Sequence, residues 1–147
     1  MDCVYDKDDI KCMEISAQAR NKSRLNELID YAKLCGYTKI GIANCFSMQK
    51  YAEKLRLLLE EAGFTVFMLN CRESGLDGCC LSENLAGATC DPVSQAKYLN
   101  QCQTDLNINF GLCLGHGLIF QKHSQAEVTT LIVKDFSTGH KSIINFE

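Results

Sequence analysis

The stretch Gly111-Leu112-Cys113-Leu114-Gly115-His116-Gly117 holds the densest set of reactive side chains in the sequence. Its Cys-x-x-His spacing lets one turn present a thiolate and an imidazole to a metal ion. The same residues spell Gly-x-Cys-x-Gly, a cysteine form of the nucleophile elbow. A thiol at the start of a helix meets the positive end of the helix dipole, which favours the thiolate. Asp135 and His140 follow in chain order, as the acid and base of an α/β-hydrolase would. Two chemistries are therefore open at Cys113. One is soft-metal coordination; the other is nucleophilic catalysis with His116 or His140 as base. The three glycines could also cradle a phosphate, but neither a dinucleotide fingerprint nor a P-loop pattern is present.

Cys113 is one of ten cysteines in 147 residues. In a short secreted chain that even number would read as a disulfide framework. The start, MDCVYDKDDIKC, is acidic and has no apolar signal core, so a reducing, cytoplasmic setting is expected and the thiols are expected to be free. They then serve as buried hydrophobes, metal ligands or reactive groups. The formal charge of −3 and the lack of any basic stripe exclude nucleic acid and an anionic membrane as expected partners. No uncharged apolar run approaches the roughly 20 residues of a spanning helix.

Elements alternate along the chain. A helix is expected over 14–35, where Leu25, Leu28, Ile29 and Ala32 repeat at helical spacing and Gly36 offers a left-handed cap. Thr38 to Ala43 reads as a strand ending at Asn44-Cys45, and a helix follows over about 48–62. Phe64 to Leu69 is a second strand, ending at Asn70-Cys71. Residues 71–90 carry no period and hold Cys71, Cys79, Cys80 and Cys90; so long a loop in a compact domain is usually functional. Asp91-Pro92 opens a helix to about Gln103 as N-cap and first helical residue. Leu106 to Leu112 is a third strand, 116–123 a short helix, and Val128 to Val133 a fourth strand. Ser142 to Phe146 is a candidate edge strand.

This order predicts an α/β fold: one domain over 15–147, with 1–14 as an extension. Its sheet is expected to be mostly parallel, with four to five strands and helices on both faces, in a Rossmann- or flavodoxin-like arrangement. Ligands of such sheets bind beyond the carboxyl ends of the strands. Cys45, Cys71 and Cys113 each lie at such an end, so neighbouring strands would align three thiols on one rim. Cys90 and one of the adjacent pair Cys79 and Cys80 are further candidates from the loop. Cys35 and Cys102, in helical segments, fit simple burial better. Lys134-Asp135 reads as a solvated strand exit.

Several blocks also resemble a prokaryotic family, the domain of unknown function 1847, described as predicted metal-binding proteins. They are Tyr37-x-Lys39-Ile40-Gly41-Ile42-Ala43-x-Cys45, Gly63-Phe64-x-Val66 to Cys71, Cys90-Asp91-Pro92, Gly111-Leu112-Cys113-Leu114-Gly115-His116, and Val128-Thr129-Thr130-Leu131-Ile132-Val133-Lys134-Asp135. The likeness covers about 15–140. It implies an α/β domain with a cysteine-rich metal site, and by position it points to Cys45, Cys71, Cys90, Cys113 and His116. The sequence departs from the family's pattern in having only Cys3 and Cys12 near its start, Gly117 after the Gly-His pair, and Lys141-Ser142 after Gly139-His140.

The expectation is a cytoplasmic protein that binds an iron–sulfur cluster or zinc at the sheet's carboxyl rim, with redox or sulfur chemistry. The ligands expected are Cys71, Cys90 and Cys113, with Cys45, Cys80 and His116 as contenders. A cysteine-nucleophile enzyme using Cys113 with His116 or His140 is the alternative. A ligand-binding or assembly module without catalysis is a third. The apolar tail residues Ile143, Ile144 and Phe146 suit either a core or a homodimer interface.

Overall fold

A computed structural model of the chain describes residues 3–147, so the first two residues of the expected extension lie outside the described residues. Four strands, β1 (Lys39–Asn44), β2 (Thr65–Asn70), β3 (Leu106–Phe110) and β4 (Glu127–Ile132), form one sheet in the order β2-β1-β3-β4. Every neighbouring pair is parallel. The chain leaves β1 for β2 on one side and returns across it to β3 on the other. The strand order therefore reverses between β1 and β3, the position at which open parallel sheets form a ligand crevice.

Five helices cover the sheet: α1 (Lys7–Ala19), α2 (Arg24–Leu34), α3 (Gln49–Glu61), α4 (Pro92–Cys102) and α5 (Leu114–His123). In α3, Ala52, Leu55 and Leu59 recur at helical spacing and are buried. Leu25 of α2 lines one apolar cavity with Leu55 of α3 and Leu131 of β4, so α2 and α3 share a face. The other face carries α4, with α5 packed beside it. Leu99 of α4 sits against β1 at Gly41, where an added Cβ would stand 2.9 Å from Leu99 Cδ1 and 2.1 Å from Asn107 Oδ1. Among the described residues no helix is long and apolar enough to cross a membrane.

Two stretches differ from expectation. The helix expected over 14–35 is two helices. Its break lies at Asn21, whose φ is +69°, and the Ser23 side chain caps α2 by accepting from Asn26 N–H. The candidate edge strand at Ser142–Phe146 is a 3₁₀ turn, with Ile144 N–H donating to Lys141 C=O. Gly139 and His140, at φ +61° and +66°, turn the chain before it can run alongside β4. The sheet thus has four strands among the described residues.

Polar ties fix both ends of the central strands. At the amino end the Asp105 carboxylate accepts from Thr38 N–H at 2.8 Å and Lys39 N–H at 2.9 Å, joining the start of β1 to that of β3. At the carboxyl end the fully buried Gln95 of α4 donates to Leu69 C=O at 2.8 Å and Asn44 C=O at 3.1 Å. That amide clamps the ends of β1 and β2 together. Substituting Gly41→Ala should displace Leu99 and Asn107 and lower the unfolding free energy by about 1–3 kcal/mol, the usual cost of overpacking. Urea denaturation measures this; an unchanged midpoint contradicts the packing described.

Candidate functional site

Hydrogen bonding continues past the strand ends and places the cysteines that follow them. Cys45 N–H donates to Phe110 C=O at 3.2 Å, and Cys71 N–H donates to Asn44 C=O at 2.9 Å. Both side chains are buried, at 3% and 2% exposure. Beyond β3 the chain turns at Gly111 and enters α5 with Cys113 at the N-cap, where its thiol is exposed. Gly111 has φ +74°, and a Cβ there would lie 2.8 Å from Met48 Cγ and 3.5 Å from Lys134 Cβ. The bare glycine thus meets both a left-handed turn and a close approach.

Lys134, just beyond β4, crosses the end of β3 over this glycine. Its ammonium donates to Cys113 Sγ at 3.1 Å and to Cys45 Sγ at 3.2 Å. Ser47 Oγ lies 3.0 Å from Cys45 Sγ on another side. Burial alone would push the Cys45 thiol up, but the Ser47 hydroxyl and N–H and the Lys134 ammonium outweigh it, and its pKa falls below the ordinary thiol value. Burial likewise opposes the charge on Lys134. The bonds to Cys113 and Cys45 overcome it and raise the lysine's pKa.

Cys71 faces a different setting. Its sulfur accepts from Phe46 N–H at 3.3 Å. Burial, reinforced by the neighbouring Cys90 and Cys45 thiols against the Phe46 N–H, pushes its pKa up to about 12. Cys90 is half-buried and is brought back to Cys71 by Asp91, whose N–H donates to Cys71 C=O at 2.7 Å. The Asp91 carboxylate also caps α4 at Ser94 N–H and accepts from Ser74 Oγ at 2.7 Å, closing the long loop upon itself. Arg72 lays its guanidinium 4.2 Å from the centroid of the Phe46 ring, beside the same residues.

Cys45, Cys71, Cys90 and Cys113 therefore lie along one rim: Lys134 joins Cys113 to Cys45, and the Asp91 backbone bond brings Cys90 back to Cys71. As they stand, no three His, Cys, Asp or Glu side chains among the described residues converge on a point that would hold an ion. Among the described residues the other expected site residues make no hydrogen bond to these sulfurs. Cys80 is exposed on a 3₁₀ turn with Cys79, held by Asp77 accepting from Cys79 N–H at 3.0 Å. His116 is half-buried in the first turn of α5. The His140 ring accepts at Nδ1 from the backbone N–H of Asp135 at 2.9 Å, while the Asp135 carboxylate accepts from Ser137 Oγ at 2.6 Å. The Asp135 carboxylate and His140 thus do not form the acid–base pair of a triad. Cys12 and Cys35 flank Tyr31 far along the chain, with Cys12 Sγ 2.9 Å from the phenol oxygen.

Arg72 is a site residue that sequence reasoning missed, and Lys134, read there as part of a solvated strand exit, instead bonds two thiols. The signal for Lys134 was its place just beyond the fourth strand's carboxyl end, the same placement that singles out Cys45 and Cys71. Removing its charge should change Cys45. In Lys134→Met the thiolate loses its ammonium partner, so the Cys45 pKa should rise and less thiolate should exist at neutral pH. Ultraviolet thiolate absorbance, titrated against a Cys45→Ser control, reads this directly. Superimposable curves for Lys134→Met and the unmodified protein would contradict it.

Comparison with known proteins agrees in its extent with the region just described. The profile of a family described as protein of unknown function (DUF1847) matches residues 3–131, which span α1 to β4 and all four rim cysteines. An uncharacterized protein of Methanocaldococcus jannaschii, MJ0455, is 38% identical over 146 residues, covering 92% of this chain and 75% of the relative. No solved structure matches. The match over most of its length makes this chain a member of the DUF1847 family.

Proposed function

We propose that the domain binds an iron–sulfur cluster, or failing that a zinc ion, through Cys71, Cys90, Cys113 and Cys45. The observation that supports this reading is the rim itself: Cys45, Cys71 and Cys113 follow the carboxyl ends of three neighbouring parallel strands, and Asp91 brings Cys90 back to Cys71. Thiolate donors select iron–sulfur centres, zinc and copper(I) over hard cations. One pair of these sulfurs, on Cys45 and Cys113, already shares a cation, the Lys134 ammonium. A metal centre would take over that role once the flexible lysine side chain swings aside. Four thiolates around a divalent centre leave two units of negative charge in excess, and Lys134 and Arg72 supply two positive charges beside them.

A cluster is put before a single zinc because its several irons accept thiolates from a wider circle, and among the described residues no three donors face one point. Such a centre would supply electron transfer or sulfur chemistry. The protein's share would be to hold the thiols on a rigid sheet edge, through the Gln95 clamp, and to offset their charge. A second reading is favoured by one contact. The exposed Cys113 thiol, at a helix N-terminus and bonded to Lys134, has the surroundings of a reactive nucleophile, with the lysine in the place expected for a histidine.

Protein purified without oxygen and without added metal should be brown and contain iron and acid-labile sulfide. Serine at Cys71, Cys90 or Cys113 should remove most of the iron while circular dichroism stays native, and Cys79→Ser should leave it. A colourless sample with stoichiometric zinc selects the second metal. A folded, metal-free protein in which Cys113 alone is alkylated fast would overturn metal binding and favour the nucleophile.

A further inference from the structure

We propose that Cys113 and Cys45 form a reversible disulfide by thiol–disulfide exchange with a low-molecular-weight disulfide, and that this bridge closes the rim to metal. The geometry of the pair carries the first half. At 3.1 and 3.2 Å from one Lys134 nitrogen, the two sulfurs lie no more than about 6.3 Å apart, the sum of the two distances. A bond between them needs about 2.05 Å. The half-buried lysine has a flexible side chain that can leave the gap, and Cys113 follows the Gly111 turn, whose glycine gives the backbone freedom to adjust.

Access divides the roles. Cys113 is exposed and Cys45 is 3% exposed, so only Cys113 can meet an incoming disulfide. Cys71 is as buried as Cys45, but its sulfur is turned to Phe46 N–H and it has no contact with the lysine. The steps balance. The Cys113 thiolate attacks one sulfur of the small disulfide, forming a mixed disulfide and expelling one small thiolate. The Cys45 thiolate then attacks the Cys113 sulfur, forming the bridge and expelling the second. The two protein thiols are oxidised, the small disulfide is reduced, and the two thiol protons leave with the expelled thiolates or with solvent. An excess of small thiol reverses both steps.

The second half rests on the metal-binding reading, because the bridge would consume two of its four donors. The full chain, chelator-treated and reduced, is incubated with oxidised glutathione, and intact mass and peptide mapping follow. The expected result is a peptide joining Cys113 to Cys45, two hydrogens lighter than its two reduced parts. Cys45→Ser should instead keep a glutathione adduct on Cys113, and Cys113→Ser should show neither an adduct on Cys45 nor a bridge from it. A lasting adduct on Cys113 with Cys45 present, or a bridge from Cys113 to Cys71 or Cys90, would overturn the proposal. If Cys45→Ser does not fold, the Cys113→Ser protein decides: glutathione found on its Cys45 overturns the division of roles. Reconstitution with iron and sulfide separates the two claims. Reduced protein that takes up no iron overturns the metal reading and leaves the disulfide standing. Bridged protein that loads as much iron as reduced protein overturns the gate.

Discussion

One lysine nitrogen between two cysteine sulfurs organises the carboxyl rim of this sheet. The Lys134 ammonium stands within 3.2 Å of both Cys45 and Cys113. It joins residues that follow β1, β3 and β4 and spans the place where the strand order reverses. Partly withdrawn from water, such a contact is stronger than an exposed ion pair and also more demanding, since each partner is costly to leave alone. Burial, Ser47 and this ammonium together set the asymmetry among the thiols. Cys45, with the ammonium and Ser47, is held toward the thiolate, whereas Cys71, buried without a cation, stays protonated to about 12.

The scaffold makes this contact possible by rigid means. The Gln95 amide binds the ends of β1 and β2, the Asp105 carboxylate binds the starts of β1 and β3, and Gly111 leaves open the path by which Lys134 reaches across. Stability is also forgone near the rim. Asn44 Oδ1 and Gln95 Oε1 are buried without a hydrogen-bond partner, each a cost of about 1–3 kcal/mol in typical proteins. Both belong to residues that hold the strand ends under Cys45 and Cys71, where position rather than stability is served.

Local chemistry made the fold legible. Apolar runs closed by Asn-Cys at 44–45 and 70–71, and the Asp91-Pro92 cap, are written in adjacent residues, so strands, helices and the placement of Cys45, Cys71 and Cys113 at strand ends could be read directly. The break at Asn21 was not legible, because the apolar repeat of α2 runs up to it and only a capping serine marks the restart. The tail at 142–146 has strand-like composition, but the two left-handed residues before it decide its path. Lys134 was hidden for a different reason. Its partner Cys45 is 89 residues away, and their meeting depends on the β2-β1-β3-β4 order, which no local period encodes. Cys90 was singled out in the sequence, but what brings it to Cys71, the closure of the loop at Asp91, was not written there.

X-ray absorption at the metal edge of the anaerobically purified protein tests the central claim most directly, because it counts the atoms bound to the metal. The account predicts a shell of sulfur alone, with iron neighbours beyond it for a cluster, or a single Zn–S distance of about 2.3 Å for zinc. A shell of nitrogen and oxygen would contradict it.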